Sequence, residues 1–270
     1  RNFWCKLGVV TLNMRIQSLL LALPVVLATM LLLGLTGCDP DSSSSVETTT
    51  VKVNVDLVWD GTPVSPSQTV LDSQGRALQL ERFEGYLSDF ALHDVEEGWI
   101  DIDTIARVNF LKAGSRVGLD IAGESDWLID GVRIGLGVPA DRNQKSGEFI
   151  HPSYHPLGYN GSLGMIWSWA DGYIFSAMDL RFQDSQIGAF SYHPGQDTCF
   201  RSVDILWDGP VYVPKESQDV TLHLQLDAYK CLHGDNDIID PVVDGSAHGG
   251  NLPLALRWVD LYQDAWALAP

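Results

Sequence analysis

Val51-Lys52-Val53-Asn54-Val55-Asp56-Leu57-Val58-Trp59 alternates apolar and polar side chains, and Asp60-Gly61-Thr62-Pro63 then stops the run. A period of two is the mark of a strand with one buried face. The same grammar continues outward along the chain. Asp72-Ser73-Gln74-Gly75 is a turn, residues 77–80 form a short strand, and residues 82–92 an apolar-rich one. Gly98 opens a return strand around Trp99-Ile100-Asp101-Ile102, and residues 131–138 form another before Pro139. Residues 173–180, 202–206 and 220–227 complete the set. Val, Thr, Tyr and Trp recur in these segments while Gly, Pro, Asn and Asp punctuate them. Only residues 103–111 and 254–266 carry helical spacing. The reading predicts an all-β protein: an antiparallel β-sandwich with long loops and little helix.

Ahead of this body the chain changes character. Residues 1–13 read as sequence upstream of the natural start. Met14-Arg15 begins a short positive region, an apolar run spans residues 19–33, and Leu35-Thr36-Gly37-Cys38 closes it. Residues 14–37 therefore read as a secretory signal, and the Leu-x-Gly-Cys ending resembles a bacterial lipobox. The run is short for a membrane span, and Asp39-Pro40-Asp41 follows it in place of a basic stop. Cleavage before Cys38, lipid on Cys38, and anchoring to a membrane in the bacterial periplasm or cell envelope are the expectations. Residues 38–50, rich in Ser and Thr, read as a flexible tether. Residues 51–270 then form one β domain, long enough for a sizeable core.

The chain carries 17 Lys and Arg against 35 Asp and Glu, a formal net charge of −18. The segment before Cys38 holds three bases and no acid, so its removal makes the balance more negative. Such a surface argues against nucleic-acid binding, which needs a basic face. Apart from Cys5 and the lipidation candidate Cys38, two cysteines remain, Cys199 and Cys231. In an exported chain they favour a disulfide, with buried thiols or soft metal ligands as the alternatives. Neither belongs to a Cys-x-x-Cys pair, which speaks against structural zinc.

The chemistry concentrates in the middle of the chain. Trp167 and Trp169 stand one residue apart, and in a strand they would point to one face. His151-Pro152 and His155-Pro156 precede them in a proline-stiffened loop, and His193-Pro194-Gly195 follows. His93 closes the strand that holds Tyr86-Leu87-Ser88-Asp89. Imidazoles are good ligands for transition-metal ions, and each needs an acceptor to fix its tautomer. Asp89, Asp141 and Asp171 are the acceptors that sequence proximity suggests. No Gly-x-Ser-x-Gly, His-Glu-x-x-His or Gly-rich phosphate loop is present, so the residues give no case for an enzyme.

Several motifs, taken in order, resemble the periplasmic copper-binding MbnP-like family, named for the methanobactin operon. They are Tyr86-Leu87-Ser88-Asp89, Gly137-Val138 with Asn143, Pro156-Leu157, Met165-Ile166-Trp167-Ser168-Trp169 with Gly172-Tyr173, and Phe190-Ser191-Tyr192-His193 with Gly195. The likeness is good over residues 80–200 and poor in the last third. It implies a secreted β protein that binds copper. In some members of the family a Trp is oxidised to kynurenine by a partner di-haem enzyme of the peroxidase type, and Trp167 and Trp169 match the paired Trp positions. His193 matches the family histidine and leads the ligand candidates, followed by His155, His151 and His93. Two departures stand out. Pro194 replaces an aliphatic residue, and Gln144 follows Asn143 where the methanobactin branch has His. The competing expectation is a lipoprotein binding module, with the copper site lost and the aromatic face stacking on a sugar or a protein partner. A solvent-facing pair of indoles would favour that module.

Overall fold

The computed structural model describes residues 49–121, 126–143, 149–168, 172–215, 219–248 and 250–270. The expected upstream segment, signal, Cys38 and most of the tether lie outside them, as do Trp169 and Asp171. The first strands are β1 (Thr49–Trp59), β2 (Thr62–Pro63), β3 (Thr69–Leu71), β4 (Ala77–Asp94) and β5 (Gly98–Ile102). Next come β6 (Ala106–Asn109), β7 (Arg116–Ile121), β8 (Trp127–Leu136), β9 (Ile166–Ser168) and β10 (Gly172–Tyr173). Then follow β11 (Ser176–Phe182), β12 (Ala189–Tyr192), β13 (Arg201–Val213), β14 (Val220–Asp227), α1 (Pro241–Asp244), α2 (Leu252–Asp264) and β15 (Trp266–Leu268).

Two main sheets result. One orders its strands β15-β14-β1-β2, with β7 also on β1. The other runs β12-β11-β4-β8-β13, with β3, β5 and β6 also paired to the long β4. The alternation of β1 does what its sequence implies: Val51, Val53, Val55 and Leu57 are buried. They meet Leu222, Leu224 and Leu226 of β14 on the same sheet, and Leu78, Leu80 and Phe83 of β4 from the other, in one apolar core. The all-β sandwich-like reading holds, with one qualification of its antiparallel character. β1 and β14 pair in parallel, Val51 opposite Val220 through Val58 opposite Asp227.

Residues 103–111 are not helical. Ala106–Asn109 is strand β6, laid antiparallel on Glu84–Leu87 of β4. Val108 and Phe110 are buried while Asn109 between them is exposed, so the two-residue period wins. Asn109 then ends the strand in a turn, its Oδ1 accepting the Leu111 N–H at 3.1 Å.

The second helical expectation is met by α2. Asn251 caps it through a 3.4 Å bond to the Leu254 N–H, with Pro253 in its first turn. Leu254, Ala255, Trp258, Val259, Leu261 and Tyr262 form its buried stripe. Trp258 stacks on Tyr262 at 5.1 Å and on Tyr192 at 6.2 Å, which locks the helix against the end of β12. Removing a buried ring of this size costs about 3–5 kcal/mol.

The expected disulfide is not formed. Cys199 and Cys231 are both buried free thiols. Each has its own surroundings: Cys231 Sγ donates to the Asp227 carbonyl at 3.7 Å, while Cys199 sits in the 3-10 turn Asp197–Cys199 and hydrogen-bonds with Gly195 and Thr198. Burial pushes both thiols up in pKa, Cys231 furthest. Among the described residues no helix is long and apolar enough to cross a membrane.

Candidate metal centre

The sequence motifs converge as scaffolding around Trp167. Gly172 lies at φ +80°, where a side chain is strained, and a Cβ there would meet Asn143 Oδ1 at 2.2 Å. That closeness lets buried Asn143 accept the Tyr173 N–H at 3.0 Å, while its Nδ2 donates to Asp197 at 2.8 Å. Tyr173 donates its hydroxyl to the Leu157 carbonyl at 2.5 Å, and Tyr86 to that of Pro156 at 3.1 Å. The β9–β10 hairpin and the preceding loop are thereby fixed to the large sheet.

On this seat Trp167 is half-buried, and its Nε1–H is buried with no hydrogen-bond partner among the described residues. His193 lies against it, ring centroids 6.0 Å apart, and His248 lies edge-on to it at 5.4 Å. The two imidazoles are 5.0 Å from each other at 71°. Backbone pairing brings His248 in. Ala247 donates its N–H to Ser191 at 3.0 Å and accepts from the His193 N–H at 2.8 Å. This bridge straps residues 246–248 onto β12.

His193 Nε2 is 2.7 Å from Asp179 Oδ1. Burial pushes the Asp179 carboxyl up, but hydrogen bonds from His193 and Ser191 and the charge of Arg82 outweigh it and hold the group below its ordinary value. Asp179 is therefore a carboxylate with no proton to give. Nε2 of His193 is the donor in this pair, which leaves Nδ1 as the ring nitrogen open to another partner. Burial, with the neighbouring His193, also pushes the His248 imidazole down, against the pull of Asp179. A neutral imidazole offers a lone pair.

The expected ligands occupy three different places. His93 is bonded through Nδ1 to Asp130 at 2.6 Å and lies 4.9 Å from Trp99. His151 and His155 stack on each other, 4.2 Å apart and 11° from parallel. His155 Nδ1 accepts the Leu157 N–H at 3.1 Å, so its role there is to close a turn. Burial, then His151 and Arg142, push it below its ordinary value. Parallel rings aim their in-plane lone pairs side by side, and neither His93 nor this pair meets His193.

Two residues of the centre lack a signal in the sequence. His248 sits in a Gly- and Asp-rich loop, and its approach depends on the strap at Ala247. Asp179 supplies the acceptor that Asp89, Asp141 and Asp171 were expected to give. Asp89 instead occupies an irregular step of β4 at φ +43°. The one available clue to Asp179 was period two: it stands directly opposite Ser191 of β12, two residues before His193.

Among the described residues no three His, Cys, Asp or Glu side chains gather as a metal-holding group. The donor set is two imidazoles, with Asp179 committed to orienting one of them. Two imidazole nitrogens suit a borderline transition-metal ion.

The MbnP family model matches residues 48–244. His248 lies just beyond that stretch. Among solved structures, MbnP from Methylosinus trichosporium is similar over 72% of this chain and 80% of its own, with 18% identity and a TM-score of 0.49. No curated protein matches the chain.

Proposed function

This chain belongs to the MbnP family, and from that premise we propose that it binds copper as cargo through His193 and His248. The observation that carries the reading is the pair of imidazoles 5.0 Å apart over the face and edge of Trp167. The chemistry of the donors fits: two imidazole rings side by side, one of them oriented by Asp179. Copper acquisition, storage or delivery in the periplasm or cell envelope is the role, with Cys38 carrying the lipid anchor. The protein's residues hold and orient the ion, and no substrate is turned over.

We propose Trp167 as a site of conversion to kynurenine by a partner di-haem enzyme of the peroxidase type. Its ring lies 6.0 Å from that of His193 and 5.4 Å from that of His248, where an aryl amine and ketone would add donors that indole lacks. The half-burial of Trp167 disfavours the alternative of an open stacking plate for a sugar.

The test is anaerobic titration of the purified protein with copper(I) against a chromophoric competitor. One copper per chain is expected, with binding strongly weakened in both His193→Ala and His248→Ala. Equal binding by wild type and either variant removes that residue from the site. Tandem mass spectrometry of protein from its native host locates any kynurenine at Trp167 or Trp169.

A further inference from the structure

One polar row crosses three neighbouring strands. Arg82 of β4 stands opposite Asp179 of β11, and Asp179 opposite Ser191 of β12. The alternation of side chains puts all three on one face, and His193 reaches back to the same carboxylate. Arg82 Nη1 lies 4.0 Å from Asp179 Oδ2. The same guanidinium donates from Nε to Glu84 at 2.5 Å, and from Nη2 to the Gly164 carbonyl at 2.8 Å and Met165 Sδ at 3.1 Å. Glu84 is buried and shared with Arg107 at 2.7 Å. Arg107 in turn donates to the carbonyls of Gly161 and Leu163 at 3.0 and 2.8 Å. Two arginines and two carboxylates thus balance in charge beneath the loop that leads, two residues later, into Trp167.

We propose that Arg82 is the positioning residue of this centre: it ties the carboxylate that holds His193 to the loop that carries Trp167. The spacing of imidazole and indole is thereby set through one planar group, and His193 offers Nδ1 as its donor atom. The donor assignment rests on the copper reading above; the positioning role does not. A guanidinium suits the task because its donors leave in several fixed in-plane directions. Arg82 uses them toward Glu84 and the Gly164–Met165 turn, while the remaining edge of its charge faces Asp179 at 4.0 Å. A lysine keeps the charge but is a single point that cannot span all three.

The experiment uses the metal-free protein labelled with ¹⁵N, in which long-range ¹H–¹⁵N correlations report each histidine tautomer. Wild type is expected to show His193 in one form, protonated at Nε2. In Arg82→Lys and Arg82→Met the His193 signals should split or broaden and the Trp167 indole N–H should shift. Copper(I) affinity should fall by about 10- to 100-fold, the usual effect of losing a group that orients a ligand. Arg181→Gln, which breaks the exposed pair between β11 and Glu81 of β4, should change none of these. Should neither Arg82 variant fold, Arg82→Gln, which keeps a planar amide donor but loses the charge and the fork, is read by the same two resonances, which must move. A folded Arg82→Lys with wild-type resonances and affinity overturns the proposal, as does a wild-type His193 protonated at Nδ1. Failure of the wild type to bind copper sinks the copper reading instead, and the resonances still decide the role of Arg82.

Discussion

Gly195 is packed directly against Trp167. A Cβ at position 195 would lie 3.2 Å from the indole Cδ1 and 2.6 Å from the Tyr173 carbonyl oxygen. The second contact is with backbone, which cannot swing aside, and Gly195 also bridges to Ile174. Gly195→Ala should therefore displace either the hairpin or the indole. Overpacking of this kind costs about 1–3 kcal/mol. The expected outcome is a lowered urea midpoint, a changed tryptophan emission and weakened copper binding. Wild-type emission and affinity in the variant would show that the contact is not needed.

Both cysteines should behave as sealed thiols. Without denaturant a thiol-reactive chromogen should label neither Cys199 nor Cys231, because each is buried and its thiolate disfavoured. With denaturant both should react. Dithiothreitol should leave the thermal midpoint where it was. A midpoint lowered by reductant would mean that a disulfide contributes after all.

The fold was legible wherever one short-range rule decided it. The period of β1 is visible in Val51, Val53 and Val55, and the stripe of α2 in Trp258 and Tyr262. The segment around Val108 misled because its apolar spacing suits a helix until β4 offers it a ladder. The parallel pairing of β1 with β14 was invisible, since strand direction is set by the path between residues 59 and 220, not by either strand. At the centre, Trp167 and His193 were readable because they stand in dense motifs with glycines that permit close packing. His248 and Asp179 were not, because each reaches the site across a strand ladder. Cross-strand neighbours leave no trace in linear spacing.

The metal-free protein should lose stability as the pH falls below neutral. Burial pushes the His233 imidazole down, helped by Arg76, against the Tyr229 carbonyl and the carboxylates of Asp72 and Asp240. It stacks on Tyr229 at 4.2 Å. A base whose folded value lies below its unfolded value of about 6.5 is neutral in the folded chain while the unfolded chain takes up a proton. Stability is then full above the unfolded value and declines as the pH drops through the folded one. His155, also pushed down by burial, acts in the same direction. Thermal midpoints between pH 7.5 and 5 should fall, and His233→Gln should flatten the slope. An unchanged slope in that variant would assign the effect elsewhere.

Asn143 joins the two halves of the scaffold, and its removal tests whether the shared motifs serve structure or ligation. Its Oδ1 is the acceptor for the buried Tyr173 N–H, and its Nδ2 reaches Asp197 beside the turn that ends in Cys199. Asn143→Ala strands a backbone donor away from water, at a cost of about 1–3 kcal/mol. It leaves His193, His248 and Asp179 untouched. The expectation is therefore a split result: a clear drop in the urea midpoint with copper affinity changed far less than in His193→Ala. The glycine at 172 should by the same logic tolerate no side chain, since the space a Cβ needs is filled by the Asn143 amide. If Asn143→Ala instead abolished copper binding while keeping wild-type stability, the amide would have to be reassigned from scaffold to ligand.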